Sequence, residues 1–322
     1  MRTYIARRLL QGLVVLFIVS FIAFFIFQYL GDPVLTLAGR YATEAQREEV
    51  RAMLNLDQPF YLQYFSFISN AVQGNFGMSY VSRVPVAKLI IERLPASIEL
   101  ALVSELFAVV VGISLGIFVA ASPRSIISKF FMTGSLIGVS LPTFMVGILL
   151  ILLFSITFNI LPPTGRGNLV NLFGGWRSGY FTLDGLKHLL MPALTLGMFQ
   201  MALLFRITRG AMLEILGADF IRTARAKGVS SRMVLYKHAL RNALIPVITM
   251  IGLQFGHLIG FAIVTESIFQ WPGAGSLLLT SMYESDFPVL AAYIIMVAAI
   301  IVLLNVLVDI SYALLNPRIR YK

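Results

Sequence analysis

Seven polar or ionisable side chains interrupt stretches that are otherwise apolar: Glu99, Glu105, Gln200, Gln254, His257, Asn305 and Asp309. A polar group at membrane depth is costly, and by default it marks a solute pathway or a proton relay. The alternative is hydrogen bonding between packed helices. Spacing sorts them. Glu99 and Glu105 are six residues apart, about 240° around a helix, so they do not share a face. Gln254 and His257 are three apart and Asn305 and Asp309 four apart, so each pair shares one. Glu99 is placed near an outer helix end, within reach of the interface. The pathway candidates are therefore Glu105, Gln200, Gln254, His257, Asn305 and Asp309.

No arrangement for bond-making chemistry accompanies them. His188, His238 and His257 are far apart and show no H-E-x-x-H spacing. There is no G-x-x-x-x-G-K-[ST] loop to cradle phosphate and no G-x-S-x-G elbow. The absence of cysteine excludes disulfides, thiolate catalysis and cysteine-ligated metals. We expect no catalytic residue, no metal site and no cofactor on this chain.

The elements that position these residues follow from composition. Of 322 residues, 58% are hydrophobic and 12% charged, against about 25% charged in a soluble domain. Such a chain belongs in a membrane. A helix needs about 20 apolar residues to cross. Six segments qualify: Leu9 to Leu30, Ala96 to Ala121, Phe130 to Phe158, Leu189 to Ile207 (with Pro192), Ala243 to Thr265 and Val289 to Leu315. The first resembles a signal peptide, but its apolar run is too long and no small-residue cleavage site follows, so we read it as a retained span. The expected fold is an all-α membrane protein of six transmembrane helices with both termini cytoplasmic. Charge supports that topology. Arg2, Arg7, Arg8, Arg124, Lys129, the basic run from Arg206 to Arg241, and Arg318, Arg320 and Lys322 then lie inside. This bias accounts for the net charge of +10 without nucleic acid.

Three units follow: 1–30, the cytoplasmic N-terminus and first span; 31–95, an extracytoplasmic loop; and 96–322, a five-helix core with a cytoplasmic loop at 210–242. Within the outer loop, "TEAQREEVRAML" carries Thr43 and Gln46 at capping-box spacing, with an apolar stripe from Ala45, Val50, Met53 and Leu54. After Pro59, "FYLQYFSFISNAV" predicts a second, aromatic-rich amphipathic helix. The pair forms either a lid on the outer surface or a docking surface. The loop Asn159 to Lys187 reads as irregular, with Trp176 and Tyr180 as interface anchors. Gly112, Gly116, Gly252, Gly256 and Gly260 have small-xxx-small spacing for close helix packing.

One stretch differs from all this: "DFIRTARAKGVSSRMVLYKHALRNALIP", from Asp219 to Pro246. Asp219 is expected to cap a helix through Lys227. Gly228 suits the left-handed stop position, and Ser230 or Ser231 caps the next helix. The result is a rigid knob on the cytoplasmic side. Thr223, Ala224 and Ala226 are small enough for another surface to approach closely, which anchoring on anionic lipid would not require.

This segment resembles the cytoplasmic "EAA" loop of ABC importer permeases. Aligned on Gly228, Arg222, Thr223 and Ala224 occupy the E-A-A places, so the Glu and the first Ala are replaced. "RTARAKG" followed by "HALRNALIPV" is more similar to the dipeptide, oligopeptide and nickel branch. "GDP" at Gly31 to Pro33, "GNFGMSY" from Gly74, "ASIELAL" from Ala96, "LPPTG" from Leu161, "TESIFQWPGAGSLL" from Thr265 and "NPRIR" near the end resemble it in the same order. The likeness is to the "B"-type dipeptide permease.

The resemblance implies a permease subunit of a binding-protein-dependent importer in a bacterial inner membrane. It implies a paralogous permease as heterodimer partner, two ATPase subunits that hold ATP and Mg, an extracytoplasmic solute-binding protein, and surrounding membrane lipid. Asp219, Arg222, Thr223, Ala224, Arg225, Ala226, Lys227 and Gly228 are then the residues that couple to the ATPase. The cargo expected is a short peptide. Nickel chelates, glutathione, haem precursors and opines are alternatives within the branch. A membrane-embedded enzyme using Glu105 or His257, or a stand-alone channel or secondary transporter, is the alternative outside it.

Overall fold

The computed structural model describes residues 2–30, 34, 38–39, 42–53, 56–172 and 175–315. "GDP" at Gly31 to Pro33, Leu54, "NPRIR" and the basic C-terminal residues lie outside them. The chain is helical: α1 Arg2–Leu30, α2 Glu44–Met53, α3 Phe60–Val72, α4 Val86–Ala121, α5 Ile126–Ser140, α6 Thr143–Leu150, α7 Leu183–Leu216 and α8 Asp219–Ala226. Then Ser231–Met233, the π-helical Val234–Ala239 and Leu240–Phe261 run on from one another as α9. Three more follow: α10 Ile263–Ile268, α11 Ala274–Tyr283 and α12 Phe287–Leu315. Five of these helices are long and apolar enough to cross a membrane: α1, α4, α7, α9 and α12. The end of the bundle that carries α8 is called cytoplasmic below, following the Lys and Arg bias.

The third expected span, Phe130 to Phe158, is not one helix. It is α5, then a break at Leu141 and Pro142, then α6 continuing into the π-helical Ile151–Thr157. Proline has no N–H to donate, and the residue before it avoids the helical region. Pro142 accordingly sits extended, at φ −57° and ψ 137°. Pro95 and Pro192, by contrast, lie within α4 and α7. Those two helices also run well past the expected spans, α4 starting at Val86 and α7 ending at Leu216. The connection between α9 and α12 holds α10 and α11.

Glycine sets the helix spacing. A Cβ on Gly112 would lie 2.7 Å from Met201 O, and one on Gly116 2.6 Å from Thr208 Cβ, so α4 and α7 meet backbone to backbone. Gly252 on α9 instead makes room for the Val308 side chain of α12. The small-residue spacing is thus used for packing. Two apolar clusters stack along the bundle. Leu100, Leu196, Leu258, Ile259 and Trp271 form one. Ile117, Met212, Ile221, Val234 and Ala239 form the other, towards the cytoplasm.

The outer loop is built as its sequence predicts. Thr43 N donates to Gln46 Oε1 at 2.9 Å and Gln46 N to Thr43 Oγ1 at 3.4 Å, which is a reciprocal capping box on α2. The aromatic helix α3 docks on α1. Tyr64 is buried against Phe17, Phe21 and Phe24, and its hydroxyl donates to Phe17 O at 3.1 Å.

Candidate functional site

Three constructions carry the candidate residues. The first is the cytoplasmic knob. Its helix α8 is capped at the backbone level by Ala218, whose side chain bonds nothing; Asp219 is the first helical residue, not the cap. Asp219 instead pairs with Arg222 at 3.4 Å, with both side chains in solvent, and such a pair contributes little. Ile221 is the anchor. It is fully buried among Ile117, Met212 and Val234, with Ala224 and Val229 packed at the edge. Arg222, Thr223, Arg225, Ala226 and Lys227 are left exposed.

The stop is a Schellman motif. Val229 N donates to Ala224 O at 3.2 Å and Gly228 N to Arg225 O at 3.0 Å. That pairing puts Gly228 at φ +79°. Ser230, rather than Ser231, caps the following helix, accepting from Met233 N at 3.4 Å. The knob is therefore rigid at both ends, held by one apolar stripe, and open on its basic face.

The second construction is a cavity of about 450 Å³ between α6, α7, α9 and α10. Gln200, Gln254 and His257, scattered over 58 positions of sequence, line it together with Thr143 and Thr265. Glu105 on α4 stands beside Gln200. Both Glu105 carboxylate oxygens and Gln200 Nε2 are buried without a hydrogen-bond partner among the described residues. Asn305 and Asp309 are not on this cavity. Asp309 forms an ion pair with Arg8 at 3.0 Å, tying α12 to α1, so its geometry is that of a helix tie rather than a pathway wall. Thr143 follows the Pro142 break and Thr265 opens "TESIFQWPGAGS"; only the fold reveals that they share a wall with Gln200.

The third is a polar clasp on the outer side. Glu99 does not reach the interface: it is 1% exposed. Its carboxylate accepts from Arg166 Nη2 and from Trp176 Nε1, the latter at 3.1 Å. Tyr180 OH donates to Glu99 O at 2.7 Å, so Trp176 and Tyr180 point inward and are not interface anchors. Burial, then the Glu99 charge, push the Tyr180 phenol above its ordinary range, which keeps it a neutral donor. Arg166 also donates to Arg177 O at 2.7 Å and stacks 5.7 Å from the Trp271 ring. Trp271 Nε1 in turn donates to Ala96 O at 2.9 Å.

Glu266 fills the neighbouring position. It accepts from Ser97 Oγ and from Ser276 N. A Cβ on Gly273 would fall 2.3 Å from the Glu266 Cδ, so only glycine leaves room for this carboxylate. Asp286 closes the set, accepting from Ser79 Oγ and Tyr80 N. "LPPTGRG" and "TESIFQWPGAGS" thus fold into one clasp on α4 around Ala96 to Glu99, while Asp286 separately holds "GNFGMSY" ahead of the first turn of α4. Glu266 and Arg166 were not singled out by spacing, because each partner lies far away in sequence.

Two family descriptions match most of the chain. Residues 112–321 match the binding-protein-dependent transport system inner membrane component, and residues 1–101 match its N-terminal companion. The chain belongs to this family of importer permeases.

Close relatives agree. The glutathione transport system permease protein GsiC of Escherichia coli (strain K12) is 43% identical over 323 residues, covering 100% of both chains. The protein of the same name from Shigella boydii serotype 4 (strain Sb227) is 42% identical with the same coverage. A structure of the MetNI methionine ABC transporter in inward-facing conformations matches at TM-score 0.55 and 16% identity, covering 71% of this chain and 96% of that one. That likeness concerns the fold. The permease is a multi-pass inner-membrane transport subunit of the dipeptide, oligopeptide and nickel type, not an enzyme. Its family works with ATPase and solute-binding partners.

Proposed function

We propose that the permease forms half of the translocation pathway of an ATP-driven importer of short peptides. A paralogous permease supplies the other half. Two ATPase subunits, which hold ATP and Mg, drive the cycle, and an extracytoplasmic binding protein delivers the cargo. The observation that carries the reading is the knob. A short helix is fixed by Ile221 and Gly228 while Arg222, Thr223, Arg225, Ala226 and Lys227 stay open to solvent. A surface so rigid and so accessible suits insertion into a groove of another subunit. The side chain of Arg222 stands where the general "EAA" consensus of ABC importer permeases has Glu, and its pairing to Asp219 is free to break on contact.

The cavity beside Gln200, Gln254 and His257 is the pathway segment of this subunit. Its polar groups suit the amide and amino groups of a peptide, and Glu105 stands next to Gln200. Glutathione, itself a tripeptide, is the specific alternative cargo, favoured by the name of the 43% identical relative.

The test uses the absence of cysteine. Arg225→Cys is made and native membranes are treated with a thiol-reactive photocrosslinker. Capture of a peptide bearing a phosphate-binding loop supports coupling. Capture of lipid alone, with the thiol accessible, would sink it. Uptake of labelled dipeptide and of glutathione, each competed by the other, then assigns the cargo.

A further inference from the structure

A second cavity, of about 350 Å³, opens near the cytoplasmic end between α5 and α7. Met132, Leu136 and Phe205 form an apolar wall, and Ser135, Arg206 and Arg209 a polar one. Arg206 and Arg209 are one turn apart, so both guanidinium groups address the same space. Neither takes part in an ion pair among the described residues. Arg209 Nε is buried with no hydrogen-bond partner there. The helix does not compensate these charges, because α7 continues to Leu216 and its last turn lies beyond them. Ser135 already donates its hydroxyl to Met132 O at 2.8 Å, so the donors available to a ligand are those of the two arginines.

Arg206 is exposed and Arg209 half-buried, so the unmet donor is Arg209 Nε; a buried guanidinium nitrogen without an acceptor is costly. The cavity therefore asks for an oxyanion. Its second wall narrows the class. Three apolar side chains beside two cations match a molecule that carries phosphate and hydrocarbon together. Basic pockets between transmembrane helices on the cytoplasmic side bind anionic lipid headgroups by this chemistry, and Arg matches phosphate with two parallel donors.

We propose that Arg206 and Arg209 hold the phosphate of an anionic phospholipid from the inner leaflet, with an acyl chain along Met132 and Leu136. The lipid would pin α5 against α7 next to the Pro142 break. The site is separate from the knob and from the cavity at Gln200, and it does not depend on the cargo.

The test purifies the full importer complex in detergent and adds phosphatidylglycerol as the probe. Bound lipid is counted by native mass spectrometry, for the native protein, for Arg206→Gln with Arg209→Gln, and for a control pair, Arg124→Gln with Lys129→Gln. Retention should fall about fivefold for each arginine removed at the site and stay near native in the control. Arg209→Lys, which keeps charge and fold but not the fork of donors, should fall between. Equal loss from the site and control pairs would overturn the proposal in favour of diffuse surface charge. So would unchanged retention in the double variant. If retention is unchanged while the KM for a carboxylate-bearing cargo rises and that for its amide does not, the oxyanion is cargo and the lipid assignment is wrong.

Discussion

The Arg166 guanidinium lies against the Glu99 carboxylate deep in the protein, with side-chain exposures of 6% and 2%. One residue comes from an outer connection and the other from α4, 67 positions away. Breaking such a pair from one side leaves a buried charge uncompensated, at about 3–5 kcal/mol. Arg166→Ala should lower the thermal unfolding midpoint of the purified permease sharply. Arg166→Met combined with Glu99→Gln should restore much of it. An unchanged midpoint in the single variant would mean that the pair does not hold the clasp.

Asp286 fastens the "GMSY" turn through Ser79 and Tyr80 N. Asp286→Ala leaves these donors without an acceptor, a loss of about 1–3 kcal/mol. Hydrogen exchange at residues 79–84 should speed up, with the cytoplasmic knob unaffected. Protection that stays at native levels would assign the turn's order to packing.

Gly228 is at φ +79°, and no described atom lies within 4 Å of where its Cβ would be. The constraint is therefore conformational and not steric. A β-branched residue costs most there, on the order of 1–3 kcal/mol, while Asn tolerates the left-handed region. Gly228→Val should insert normally but lose ATPase stimulation and uptake by tenfold or more, and Gly228→Asn should retain both in large part. Normal coupling in Gly228→Val would refute the rigid-knob mechanism.

Glu105 is buried with no hydrogen bond to either carboxylate oxygen among the described residues. Replacing it by an isosteric amide removes a desolvated acid, so Glu105→Gln should match or exceed native thermal stability. Uptake should nonetheless change, with KM and maximal rate measured separately in reconstituted vesicles. Identical kinetics would leave Glu105 a packing residue.

How far the sequence reaches depends on the range of each interaction. The capping box at Thr43 and Gln46 and the Gly228 stop involve neighbours within a few residues and are legible in the sequence, while the next cap is narrowed to Ser230 or Ser231 and the structure selects Ser230. The break at Pro142 inside the third span does not follow from the proline alone. Pro95 and Pro192 sit in continuous helices, where the surrounding packing keeps the turn in place. Glu99, Trp176 and Tyr180 were misplaced at the interface for a related reason. Apolar rings and a helix-end carboxylate look alike whether they face lipid or one another.

The sequence by itself determined that this is a helical membrane protein, the approximate centres of five of its spans, its charge bias and its basic knob, since each follows from hydrophobicity and from local backbone preference. Only the tertiary structure decided that Gln200, Gln254 and His257 share one cavity, that Asp309 faces Arg8, and that two distant loop motifs close over Glu99. Those choices are made by helix packing. A residue's partner across a helix interface depends on crossing geometry and on which glycines let backbones meet, and one-dimensional spacing carries neither.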